Sequence, residues 1–220
     1  MISVAIDGPS GAGKSTLAKR LAKELGYLYV DTGAMYRSIG LYALRQGVDP
    51  KDEAAVTALL PQIQIELRYV NGAQRVLLCG EDVSEAIRAE NVGMATSAVS
   101  AHPPVRAFLL ELQRGMARTH DILMDGRDIG TVILPGATVK IFLTASAEAR
   151  ADRRFKELQE KGVATDYETV LEDIRQRDYQ DSHRATAPLR QAEDAVLVDT
   201  SDMDLEQSFQ AMKSVILSRV

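Results

Sequence analysis

The chain has 220 residues, 45% of them hydrophobic, with 26 Lys+Arg against 31 Asp+Glu and a formal net charge of −5. That length can bury a full core without covalent staples, and the lone cysteine, Cys79, excludes an internal disulfide and suits a reducing cytoplasmic setting as a buried, bland thiol. The acid excess argues against binding a nucleic acid polymer, no apolar run nears the roughly 20 residues of a membrane span, and a strand-like run at the very start predicts no signal peptide.

From the N-terminus, Ile2-Ser3-Val4-Ala5-Ile6-Asp7 is a β-branched run that predicts a buried strand over 2–7. It leads into Gly8-Pro9-Ser10-Gly11-Ala12-Gly13-Lys14-Ser15, which fits G-x-x-x-x-G-K-[ST], and then into an amphipathic helix over 14–25. A glycine-rich turn between strand and helix aims several backbone N–H groups into one concavity, where the helix N-terminus also favours negative charge. Lys14 would reach the β- and γ-phosphates and the Ser15 hydroxyl would coordinate Mg²⁺, so the loop predicts a bound nucleoside triphosphate.

A short strand at 28–30 ends in Asp31-Thr32-Gly33-Ala34-Met35-Tyr36-Arg37, which opens a helix over 34–46. Thr32 reads equally as a plain N-cap and Asp31 as a turn residue. Arg37, one helical turn after Gly33, suits the phosphate of a second substrate. Between about 62 and 98 the pattern changes: Gln62 to Val70 alternates polar and apolar, then come Asn71-Gly72 and Arg75-Val76-Leu77-Leu78-Cys79. Asn-Gly between strand-like runs predicts a hairpin on a type I′ turn, hence an antiparallel insert. Ser97 and Arg106 flank Pro103-Pro104 and, taken alone, read as a helix-end hydroxyl and a surface charge.

After a helix over 104–118, a strand over 121–125 ends in Asp125, the form of the acidic element that supports Mg²⁺ in phosphate-loop enzymes. Gly126 and Gly130 permit close backbone approach, and Arg127-Asp128 offers donors and acceptors to a base edge or phosphate, or forms a surface ion pair. A strand over 138–143 precedes helices over 146–161 and 167–182, which carry Arg150, Arg153, Arg154, Arg175, Arg177 and Asp181, with Arg184 just beyond. Arg150 with Arg154, and Arg177 with Asp181 and Arg184, are spaced to share helical faces. Gly162-Val163-Ala164-Thr165 separates the two helices as a flap would require, and a strand over 195–199 and a helix over 204–219 complete the chain.

Strands alternating with helices predict an α/β fold: a five-stranded parallel sheet of the P-loop NTPase type with helices on both faces, in one domain with inserted subdomains. Ligands on such sheets sit outside the carboxyl ends of the strands, where Asp31, Asp125 and the 8–15 loop are expected to converge.

Taken together, the segments Ile6 to Lys14, Asp31 to Arg37, Asp125-Gly126-Arg127-Asp128-Ile129-Gly130-Thr131-Val132, and Arg177-Asp178 through Asp181-Ser182-His183-Arg184 to Ala187-Pro188-Leu189 resemble the bacterial cytidylate kinases of the long form. The resemblance runs in family order over nearly the whole chain. It implies a core over 1–31, 106–147 and 165–220, a monophosphate-binding region over 32–105 with the β insert at about 62–98, and a lid at about 148–164. It implies transfer of a phosphoryl group from ATP to CMP or dCMP with Mg²⁺, in a cytoplasmic monomer. By motif match, Gly8, Pro9, Ser10, Gly11, Ala12, Gly13, Lys14, Ser15 and Thr16 would hold ATP, and Ser15 and Asp125 the metal. Many relatives have Gly where Ser15 stands, which leaves the metal ligand open between Ser15 and Thr16. Thr32, Arg37, Ser97, Arg106, Arg127, Asp128, Arg177, Asp181 and Arg184 would contact CMP, with Thr96 and Ser100 as alternative hydroxyls to Ser97. Lys14, Arg127, Arg154, Arg177 and Arg184 would cover the charge of the moving phosphoryl group. No general base is expected, because the acceptor oxygen is already ionised and His102, His120 and His183 are scattered.

Overall fold

The structure, a computed structural model, describes residues 1–70 and 73–220, so the turn predicted at Asn71-Gly72 lies outside the described residues. In chain order the elements are β1 (Ser3–Asp7), α1 (Lys14–Leu25), β2 (Leu28–Asp31), α2 (Thr32–Arg45), α3 (Glu53–Leu59), β3 (Ile65–Val70), β4 (Ala73–Leu78), β5 (Glu81–Asp82), α4 (Glu90–Val99), α5 (Pro103–Thr119), β6 (Ile122–Gly126), β7 (Val139–Thr144), α6 (Ala147–Glu160), α7 (Tyr167–His183), β8 (Val196–Asp199) and α8 (Leu205–Leu217). The expected five-stranded parallel sheet is present, in the order β2-β6-β1-β7-β8, and the second sheet is antiparallel, in the order β3-β4-β5. Among the described residues no helix is long and apolar enough to cross a membrane.

The chain divides into two compact units, Met1–Tyr29 with His120–Val220, and Val30–Thr119. In the first, β1 lies between β6 and β7, with Ser3 opposite Ile122 and Asp7 opposite both Gly126 and Phe142. Flanked on both sides, its residues Val4, Ala5 and Ile6 are fully buried, as the unbroken apolar run requires. Leu17 and Leu21 of α1 and Phe209, Met212 and Ile216 of α8 pack with Val4, Ile6, Leu123, Ile141 and Leu143 of the sheet in one core. Helices α6 and α7 pair over a smaller one of Ala151, Val170, Leu171 and Ile174. Capping follows the sequence: Gly26 ends α1 at φ 73, while the side chains of Ser146, Asp166 and Asp204 cap α6, α7 and α8.

In the second unit the hairpin register sets Ile65 opposite Leu78 and Leu67 opposite Val76. The insert is shorter in β structure than the predicted span of 62–98: pairing ends at Asp82, a 3-10 turn covers Ala86–Arg88, and Glu90–Val99 is helical. Alternation stops after Leu78, and Val92, Ala95 and Val99 recur at the three-to-four spacing that buries one face of α4. Helix α2 accepts α4 closely at Gly40, where a Cβ would meet Thr96 N at 3.1 Å and Ala95 C at 3.3 Å. The unit keeps α5 whole. Cys79 is exposed rather than buried, because it ends β4 in a turn at φ 50 beside Gly80 at φ 86.

Candidate active site

The loop after β1 can be built only with glycine where the pattern has it. Gly8 has φ 152, and a Cβ there would fall 1.9 Å from the Leu143 carbonyl oxygen; Gly11 and Gly13 have φ 76 and 85. Lys14 opens α1 and is buried, its Nζ donating to the Pro9 carbonyl at 2.7 Å. Burial and, next, the Arg127 guanidinium push the Lys14 ammonium well below its ordinary range, against the opposing pull of Asp125, Asp181 and Asp7. A polyanion entering this loop would reverse that balance.

Ser15 Oγ donates to Asp125 Oδ2 at 2.7 Å, and the Tyr29 hydroxyl donates to Asp125 Oδ1 at 2.9 Å. A hydroxyl and a carboxylate side by side are the oxygen donors that a hard divalent cation takes, alongside water and phosphate oxygens. Thr16 is exposed, so the structure joins Ser15 rather than Thr16 to the carboxylate. Among the described residues no cluster of three or more His, Cys, Asp or Glu side chains could hold a metal by itself. The donor set fits Mg²⁺ held jointly with phosphates.

Beside the loop, Arg127 Nε donates to Asp181 Oδ2 at 2.7 Å, and Arg184 lies 3.7 Å from the buried Asp128 carboxylate. Burial pushes the Asp181 carboxyl up, but Arg127, Arg177 and Arg184 outweigh it and hold its pKa below the usual range. The shared helical face holds for Arg177 and Asp181 only. Arg184 caps α7 in an extended conformation, and its Nε donates to the carbonyl of Ala187, itself at φ 48. It joins the cluster because the chain turns back through Ala187-Pro188.

The other arginines of the stretch divide by role. Arg150 is 3% exposed. It donates to the Ser10 carbonyl at 3.0 Å and by both guanidinium arms to Asp178 at 2.9 and 2.5 Å, so it fastens the phosphate loop to α7. Arg153 donates to the Thr200 carbonyl. Arg154 is not brought to the cluster; it is exposed and pairs with Glu157 at 3.0 Å. Arg175 pairs with Glu148 on the surface.

In the second unit Asp31, not Thr32, caps α2, accepting from the Ala34 N–H at 3.0 Å; Thr32 is the buried first helical residue. The insert braces this turn. Arg88 donates to Asp31 Oδ2 at 3.0 Å, the Asp31 N–H donates to Gln74 Oε1 at 3.3 Å, and Arg37 donates to the Ile87 carbonyl at 2.9 Å. Thr96 and Ser100 spend their hydroxyls on the carbonyls of Val92 and Ser97. Arg106 is buried, donates to the Ser100 carbonyl at 3.1 Å and lies 5.5 Å from the Tyr36 ring centroid.

Sequence reasoning missed Asp7, Tyr29, Gln74, Arg88 and Asp178. Asp7 carried a signal, a carboxylate ending an apolar strand immediately before the loop; the others announce themselves only through long-range contacts.

A family model described as cytidylate kinase matches residues 4–217. Over 209 residues the chain is 50% identical to a cytidylate kinase of Caldicellulosiruptor saccharolyticus, covering 95% of this chain and 92% of the relative. It is 50% identical over 215 residues to a cytidylate kinase of Enterococcus faecalis, covering 98% and 95%. Among solved structures, an uncharacterized protein from Eubacterium ventriosum aligns with a TM-score of 0.54 at 12% identity over 100% of both chains, a likeness of fold alone.

Proposed function

Because the chain belongs to the cytidylate kinase family, we propose that it transfers the γ-phosphoryl group of ATP to CMP or dCMP, yielding ADP with CDP or dCDP, as a cytoplasmic monomer. It is a nucleoside monophosphate kinase. The observation that carries the reading is the junction of a glycine-built phosphate loop with the network of Arg127, Asp128, Asp181 and Arg184. One half suits a triphosphate, and the other carries the charges a nucleoside monophosphate needs.

The acceptor phosphate is ionised at neutral pH and needs no base, so the chain's task is to align two polyanions and cover developing charge. Gly8 to Thr16 wrap the donor phosphates, and Lys14 exchanges the Pro9 carbonyl for a phosphate oxygen. Ser15 and Asp125 would hold Mg²⁺. When bound, that ion neutralises phosphate oxygens. Arg37 and Arg127 grip the acceptor phosphate, Arg177 and Asp181 adjoin the ribose, and Ser97, Arg106, Arg127 and Asp128 address the cytosine edge. Arg177 and Arg184, with Arg154 once released from Glu157, cover the moving phosphoryl group. Thr32 completes the acceptor set. The division into a core, a monophosphate-binding region over 32–105 and a lid near 148–164 belongs to the same proposal.

Cytosine presents an amino donor beside a ring-nitrogen acceptor, which suits a carboxylate next to a guanidinium; uracil would set a carbonyl against that carboxylate. A coupled ADP-release assay with CMP, dCMP, UMP, AMP and shikimate tests the reading. Turnover with CMP and dCMP well above the others is expected, and turnover with shikimate or AMP alone rejects it.

A further inference from the structure

The reaction above gives Asp7 no task, yet Asp7 is one of the most constrained polar groups in the first unit. It ends β1 directly before Gly8 and is 4% exposed. Its Oδ1 accepts the Ile129 N–H at 2.7 Å and its Oδ2 the Gly130 N–H at 2.7 Å. Those amides belong to the two residues that follow Arg127 and Asp128, and they open a short π-helical turn, Ile129–Ile133, whose N-cap is Asp128. We propose that Asp7 is a positioning residue for acceptor recognition: by gripping the Ile129 and Gly130 amides it sets Arg127 and Asp128 in register with the phosphate loop. The inference rests on the reading of Arg127 and Asp128 as acceptor contacts.

The geometry leaves little slack. Beta strand β1 is paired on both sides, with β6 and β7, so the carboxylate stands at the end of a strand held from two directions. A Cβ at Gly130 would meet Asp7 Oδ2 at 3.3 Å and Lys140 Cδ at 3.1 Å, so a larger residue there would press on both side chains. Keeping a carboxylate here is costly. Burial raises its pKa from 3.8 to about 6 even though both amide bonds favour the ionised form, with Asp128 adding repulsion and Lys14 attraction. An apolar residue would serve a strand of this burial better if shape were all that mattered, and such local conflicts concentrate where function requires them. Rigid coupling of this kind matters because phosphoryl transfer is chiefly a matter of alignment.

The test is steady-state kinetics of Asp7→Asn. Its amide keeps one acceptor and turns an NH₂ toward the second backbone N–H. We expect kcat/KM for CMP to fall roughly 10- to 100-fold while the KM for ATP stays within about two-fold, and the CMP-to-UMP preference to shrink. Gly130→Ala presses on the same junction from the opposite side and should give the same split, which keeps the test open if Asp7→Asn folds poorly. Equal losses toward ATP and CMP, or wild-type kinetics, would make Asp7 a scaffold residue only. A wild-type enzyme that ignores CMP overturns the functional reading itself, and the inference with it.

Discussion

Several charged residues of the first unit are buried, Asp7, Lys14, Asp125 and Asp128 among them. Asp128 is buried beside Arg184, a charge pair with no evident use in packing. Asp128→Asn should lower the CMP-to-UMP ratio of kcat/KM about tenfold or more with little change in the ATP KM, since a lost buried pairing partner is worth about 1–3 kcal/mol; equal effects on both nucleotides would assign Asp128 to the scaffold. Asp7 yields a prediction about pH. Its folded carboxyl titrates at about 6 against 3.8 unfolded, so the fold binds the proton more tightly. Stability from this group is therefore complete below about pH 4 and declines as pH rises to about 6, a change of about 3 kcal/mol. The unfolding free energy of wild type minus that of Asp7→Asn, followed from acid to neutral pH, should fall by about that amount and then level off. A flat difference would mean that folding leaves the Asp7 pKa unchanged, and a difference that rises with pH would mean that the fold favours the ionised form.

The elements show which features are written locally. The sheet strands and the longer helices were legible because unbroken apolar runs and three-to-four spacing both report burial. The insert was legible only as far as Leu78: helix α4 was missed because its Glu90-Asn91 start carries no side-chain cap and its small residues leave a faint stripe. At the site, the phosphate loop and Asp125 could be read from strand ends and glycine spacing. Which residue caps α2, where α7 ends and what Arg150 holds could not, since each is decided by contacts far away in sequence. Arg150 bears this out in its energetics. Its guanidinium is nearly inaccessible and Asp178 partly open, so Arg150→Ala should cost about 3 kcal/mol in chemical denaturation, with Arg150→Lys recovering only part because an ammonium cannot bridge both carboxylate oxygens and the Ser10 carbonyl. A loss below about 0.5 kcal/mol would show that α6 and α7 hold the loop without it.

At the scale of the molecule, the unit that carries the phosphate loop is assembled from two stretches of chain, Met1–Tyr29 and His120–Val220. Strand β1 finds both neighbours, β6 and β7, only in the second stretch, and the Ile2 N–H donates to the Asp121 carboxylate across the same gap at 2.6 Å. Pairings this remote in sequence slow folding, because the loop must close before contact rewards it. A chain ending at Thr119 should consequently fail to retain ATP in equilibrium dialysis although its phosphate loop is complete. Undiminished affinity would show that the glycine loop shapes itself.

The Arg150 clasp has a mechanical corollary. Since one guanidinium grips both the carbonyl of Ser10 and the carboxylate of Asp178, the loop and the middle of α7 travel as a single piece. A movement of the 161–166 connection that left those contacts intact would have to bend the chain between them and the connection, where Gly162 stands at φ 70.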